Sequence, residues 1–571
     1  MKHLSLFVCL VVVASMFAGC AAPTPQVVEK EVTKVVEKVV EQKVVQTVVV
    51  AGTPQVVEKV ITATPAPKTG PVAGGKLVYA LTQEPDTLDV HKSGILFIPC
   101  QLFGASLLAR NPETGEIVPY LAESWTKAEN GMSYEFKLRK DVKFHDGTPL
   151  TAQDYAYTFM RAIDPATKSP TAGQTLVGLK SAEAVDNYTL RLNMSMPNSV
   201  LANSMTNNCY LQPIPKAAVE KMGDQFGRKP IGTGPFKVKE WVTGQRIVLE
   251  RNPDFTWGPS FTHGGAPYIE TIEFRIIPEY ATQLAGFESG EIDFIVPDLK
   301  DLKRLEDAGK YRLVKTGIAG SGVHLEMNAT RAPFDDVRLR KAVNYALDRK
   351  GIVQAVAAGR AAPLYGPLTP ATVGYWPGAE YIGYQYDVAK AKAQLTEAGY
   401  APNASGIMEK GGKPLALTLL FSVQHAKVAE IVQQQLKAVG IDAKLEQREY
   451  GVLYQTLSGG DFDLGIDQLG WPDAGVLFVM FHSSTIGGWN RARVKNLDGM
   501  VGAFVVSTTQ EGFEKTTADL QRKIIEDALT APIYAPVEYS ALNKRIQGPF
   551  YAPVNRWLYL WDAYIQTGPV K

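Results

Sequence analysis

Charge of one sign is missing from this sequence. It has 59 Lys and Arg against 58 Asp and Glu, a formal net charge of +1. So even a balance offers no basic face to nucleic acid or to an anionic membrane surface, and no nucleic-acid partner is expected. Long apolar runs are missing too. Past residue 20 none approaches the ~20 residues that a membrane-spanning helix needs. Cysteine is scarce, with four in the chain, at positions 9, 20, 100 and 209. Two isolated cysteines in the body with no neighbouring histidine miss every zinc spacing, and the seven histidines are scattered without an i, i+4 pair. No metal and no cofactor is expected. There is no Gly-x-Ser-x-Gly elbow and no identifiable nucleophile or acid–base pair, which argues against an enzyme.

What is present begins at the first residue. Lys2 supplies a positive start, Leu4 to Met16 is almost entirely apolar, and Phe17-Ala18-Gly19-Cys20 follows. This is the pattern of a secretory signal peptide, too short for a permanent span. The small-small-Cys ending resembles the bacterial lipobox, which makes Cys20 the lipid-carrying first residue of the mature chain. Ordinary secretion with an unrelated cysteine is the alternative. The resemblance implies a protein held at the outer face of the cytoplasmic membrane through Cys20.

Residues 21 to 73 contain no aromatic residue and no leucine, and Val-Val-Glu-Lys recurs at 27–30, 35–38 and 56–59. Valines at 28, 32, 36, 40, 44 and 48 predict a drifting helical stripe with Glu and Lys opposite. The segment is expected to be a solvated stalk, or else a short self-associating coiled coil. Pro54, Pro65, Pro67 and Pro71 make its last part extended.

From Gly74 strand and helix patterns alternate, as in an α/β architecture. Lys76–Leu81 and Tyr134–Leu138 read as strands, and Asp141 to Gly147 as a loop. Thr151 opens a helix that places Tyr155, Phe159 and Ile163 on one face. Asp335 to Ala358 reads as one long helical stretch, and Ala426 to Val439 as a helix closing on Gly440 before a strand at Ile441 to Leu445. His145-Asp146-Gly147 invites a catalytic label, but a tight turn with Asp146 capping and Gly147 permissive is the expectation. Gly232-Thr233-Gly234-Pro235 lacks what a phosphate loop needs and is read as a turn.

Leu121-Ala122-Glu123-Ser124-Trp125 and the run from Phe136 to Asp154, with Phe144-His145-Asp146-Gly147-Thr148-Pro149 at its centre, resemble the signature of the extracellular solute-binding proteins of peptide and nickel ABC importers. Further matches follow in family order, among them Gly232-Thr233-Gly234-Pro235-Phe236, Gly290-Glu291-Ile292-Asp293 and Asn344-Tyr345-Ala346-Leu347-Asp348-Arg349. The resemblance implies a two-lobed α/β fold of the periplasmic-binding-protein type (type II, large peptide-binding cluster), with an extra subdomain in the first lobe. The expected division is a signal peptide at 1–19, lipidated cysteine and tether at 20–73, a first lobe at 74–324, a second at 325–535, and a return to the first at 536–571. The implied role is a monomeric, lipid-anchored binding component that captures a small peptide between its lobes and passes it to permease subunits driven by a cytoplasmic ATPase, without covalent chemistry. An oligosaccharide cargo on the same fold is the nearer alternative and a secreted surface hydrolase the remote one. A receptor that passes its signal to a membrane sensor also stays open.

Candidate contacts lie in loops. In peptide-binding relatives a Trp closely followed by an Asp stands where Leu469-Gly470-Trp471-Pro472-Asp473 stands here, and that Asp pairs with the ligand's terminal amine. Asp473 is one residue short of that spacing, and Ala474-Gly475 replaces the usual Asp-Pro. Asp473 equally suits the cap of a helix beginning near Val476. Trp376, Trp471 and Trp489 offer indole faces for sugar rings or apolar peptide side chains, with Asn490 for hydroxyls or amides; each indole is equally at home in a core. Cys100 and Cys209 either pair in an oxidising compartment or stay as small buried hydrophobes.

Overall fold

A computed structural model describes residues 32–36, 39–50, 53–62, 71–93, 98–169, 172–207, 209–549 and 559–566. The signal segment and Cys20 lie outside them. The chain divides into two compact units, Met1–Thr69 and Gly70–Lys571. In the first, Val32–Val36, Val39–Val50 and Thr53–Thr62 form an antiparallel sheet in that order. The expected helical stripe is therefore wrong, and with it the coiled coil. A valine spacing of four is even, so it satisfies the strand period of two as well as the helical one, and β-branched residues favour strands. Pro54 is tolerated because its strand is at the sheet edge.

In the second unit a seven-stranded sheet runs Phe236–Val242, Arg246–Arg251, Thr271–Ile276, Lys76–Leu81, Phe294–Ile295, Val537–Asn543, Tyr311–Gly317. A six-stranded sheet runs Ala362–Pro363, Thr530–Ala535, Val323–Met327, Leu464–Asp467, Ala416–Phe421, Asp442–Gln447. The chain crosses between the two sheets twice, after Gly317 and after Ala535. Each sheet has its own apolar core, so the unit has two lobes. A separate four-stranded antiparallel sheet (Ala122–Lys127, Ser133–Leu138, Thr189–Met194, Leu179–Asp186) packs Phe136 and Leu190 against the helix Ala152–Ile163 and adds a third core to the first lobe. Tyr155 and Phe159 of that helix are fully buried and Ile163 is half-buried, on the expected face.

The stretch expected as one helix from 335 to 358 is two, Val337–Ala346 and Arg349–Ala357. Asp348 breaks it: its carboxylate accepts the N–H of Gly351 at 3.0 Å and so caps the second helix. Residues 426–438 are helical and Gly440 turns the chain with φ +90°, as expected. At His145-Asp146-Gly147 the turn is structural: Asp146 accepts the N–H of Thr148 at 3.0 Å and Gly147 has φ +89°. Gly234 is required by close approach, since a Cβ there would lie 2.5 Å from the carbonyl carbon of Phe103. Cys100 and Cys209 form a disulfide in the first-lobe core, with Cα atoms 5.1 Å apart. Among the described residues no helix is long and apolar enough to cross a membrane.

Candidate functional site

The loop after the strand Leu464–Asp467 is fixed on two sides. Ser321 N–H donates to Leu469 O at 3.0 Å and Trp471 N–H to Ala319 O at 3.1 Å, which ties the loop to the first crossing segment. Val373 N–H donates to Pro472 O at 3.1 Å and Ala474 N–H to Val373 O at 2.7 Å on the other side. The loop therefore stays extended and presents Trp471 and Asp473 where the lobes meet. Asp473 is 2% exposed. One carboxylate oxygen accepts the N–H of Gly475 at 2.9 Å and braces the turn into the helix Gly475–Phe481, whose N-cap position is Ala474 and not Asp473 as the sequence suggested. The other oxygen accepts the side-chain amide of Asn203, from the first-lobe helix Leu201–Ser204. The Asn203 oxygen in turn accepts from the Arg110 guanidinium. Burial pushes the Asp473 carboxyl up from its ordinary range, opposed by these hydrogen bonds and by the Arg110 charge.

A cavity of about 770 Å3 lies between the lobes, within the ~300–1,000 Å3 usual for small-ligand sites. Asn198, Asn203 and Tyr210 line it from the first lobe, and Tyr454, Trp471 and Trp489 from the second. Asp473 and Glu538 bring two carboxylates to its wall, and among the described residues no Lys, Arg or His lines it. Beside it the lobes touch directly: Ser199 N–H donates to Val505 O at 2.8 Å and Lys127 Nζ to Thr508 O at 2.5 Å.

The sequence candidates separate at this point. Asp473, Trp471 and Trp489 line the cavity; Trp376 and Asn490 do not. The Asn490 amide donates to His482 O at 3.0 Å and Val494 O at 3.2 Å, while its oxygen accepts the Arg493 N–H at 2.8 Å. It is 1% exposed and holds its own loop together. The Trp376 ring lies against the Arg522 guanidinium, 5.1 Å from the ring centroid. Trp489 packs edge-on to Tyr454 with centroids 5.2 Å apart, and the buried Arg491 guanidinium sits 4.8 Å from Tyr454 and 5.0 Å from Trp489. Sequence reasoning missed Asn203, Tyr454 and Glu538, which carry no motif and meet the cavity only through the fold.

A sequence model of the bacterial extracellular solute-binding proteins, family 5 (middle region), matches residues 116–489. The oligopeptide-binding protein AppA of Bacillus subtilis is 31% identical over 505 residues, covering 85% of this chain and 90% of that protein. The periplasmic oligopeptide-binding protein OppA of Escherichia coli is 29% identical over 458 residues, 74% of this chain and 79% of that one. Among solved structures, AppA in complex with a nonapeptide superposes with a TM-score of 0.70 at 27% identity, over 87% of this chain and 99% of that one. NikA from Brucella suis in complex with Fe(III)-EDTA superposes with a TM-score of 0.76 at 26% identity, over 85% and 100%. The chain belongs to the bacterial extracellular solute-binding proteins of family 5.

Proposed function

We propose that this protein captures short peptides between its lobes, pairs their terminal ammonium with Asp473, and delivers them to the permease of an ABC importer while tethered through Cys20. The observation that carries the peptide reading is the charge of the cavity wall: two carboxylates and, among the described residues, no cationic side chain. Such a wall favours a ligand with a cationic end, and a buried carboxylate–ammonium contact orients as well as holds it. Trp471, Trp489 and Tyr454 then give apolar faces to peptide side chains. The names of AppA and OppA, both oligopeptide-binding, support the same cargo. An oligosaccharide is favoured less, because Asn490 and Trp376, two of the groups that suggested it, do not line the cavity and are engaged by His482 O and the Arg522 guanidinium.

Native mass spectrometry of protein purified without denaturant tests this reading. Co-purifying peptide masses are expected, unchanged on incubation. Hexose-spaced masses would move the cargo to sugars, and steady conversion of a bound compound would end the binding-protein reading altogether.

A further inference from the structure

Asp473 is already furnished with donors by the protein itself. A carboxylate has about four acceptor positions, and Gly475 N–H and the Asn203 amide take one on each oxygen. Gly475 belongs to the same loop as Asp473 and stays with it whatever the lobes do. Asn203 comes from the other lobe, is 7% exposed and itself lines the cavity. Its amide is committed at both ends, accepting from Arg110 and donating to Asp473. It thus presents to the carboxylate, across the cleft, the same chemistry that a ligand ammonium would offer: an N–H donor backed by a positive charge one bond further out.

Resting on the reading of Asp473 as the ammonium site, we propose that Asn203 is an internal competitor for that carboxylate and sets the threshold a ligand must exceed to occupy it. Both donors meet a charged acceptor, but an ammonium adds a full opposite charge at close range in a site of low dielectric, and on that ground it outcompetes the neutral amide. An acylated terminus offers only another amide N–H and gains nothing by the exchange. Asn203 therefore converts a general preference for hydrogen-bond donors into selection for a free ammonium. Selectivity of this kind lowers absolute affinity, because binding includes the loss of the Asn203–Asp473 contact.

The test uses the full protein with a random tetrapeptide library, either with free amino termini or N-acetylated, and titrations read by native mass spectrometry. Wild type is compared with Asn203→Ala and with Asn203→Leu, which keeps the bulk of the side chain; both remove the donor to Asp473 without adding charge, and thermal melts establish that each variant is folded. Both variants are expected to bind the free-amine library roughly tenfold more tightly, the size of one hydrogen bond to a charged group. Unchanged or weaker binding by a folded variant overturns the competitor role, because a contact retained in the complex stabilises it. Failure of the underlying reading shows elsewhere: wild type would then bind free and acetylated libraries equally, or neither.

Discussion

Asp473 does two jobs with one side chain, and its environment makes them separable. To brace the turn into the following helix it needs an oxygen facing the Gly475 N–H, which an asparagine retains. As an ammonium partner it needs its charge. Asp473→Asn is therefore expected to fold, with a thermal midpoint lowered because its new NH2 faces the Asn203 NH2, and to weaken free-amine peptide binding by about thirtyfold or more, the scale of removing one partner of a buried charge pair. Calorimetric titration and a thermal melt on the same sample check both halves, and undiminished affinity would reduce Asp473 to a brace for its own turn. The motif around Trp471 made this residue visible in the sequence. Asn203 was not visible, because Leu201–Ser204 is a four-residue helix whose sequence carries no signal for what lies across the cleft.

Elements meet at the crossing segments, and there glycine is demanded twice over. Gly320 has φ +123°, and a Cβ at that position would lie 1.9 Å from the carbonyl oxygen of Leu469. That carbonyl accepts the Ser321 N–H and so anchors the loop bearing Asp473. Gly320→Ala adds a strained backbone to a clash with backbone atoms, so a loss of about 2–4 kcal/mol in urea unfolding is expected, with weakened ligand binding as the loop shifts. A stability within experimental error of wild type would mean that the crossing segment yields more easily than its contacts indicate. The strand Ser133–Leu138 was legible because period-two alternation and a following loop agree, and Lys76–Leu81 because it is a short apolar run, buried at its four central residues. The break at Asp348 and the sheet of residues 32–62 were not: a capping aspartate inside an amphipathic run, and a repeat of four that suits both periods, leave local pattern ambiguous.

At the scale of the molecule, buried histidines tie stability to pH. Burial, with the charge of His324 adding to it, lowers the pKa of His425 to about 4; burial and Arg161 lower that of His91 to about 3. The unfolded chain protonates these groups near pH 6.5, whereas the fold refuses the proton until about pH 4 or 3. The unfolded state thus binds more protons between those limits, and these two contributions to stability decline as pH falls below 6.5. Burial raises Asp467 to about 6, which works the other way: its ionisation costs the fold stability as pH rises toward 6. His425→Gln isolates one contribution. Between pH 7.5 and 4.5, wild type is expected to lose about 3 kcal/mol more than the variant in urea unfolding. Parallel pH profiles would show that His425 takes its proton within the fold.

The α/β class, the family and the loop of Trp471 and Asp473 were determined by sequence alone, because each rests on residues close together in the chain, where local pattern and motif order suffice. The tertiary structure alone decided which of the candidate side chains share a cavity. That cavity draws on residues near 200, 320, 470 and 538, brought together by two chain crossings between separate sheets. Whether a tryptophan lines a cleft or braces an arginine, and whether an aspartate meets an asparagine more than two hundred residues away, depends on long-range packing that no local spacing encodes.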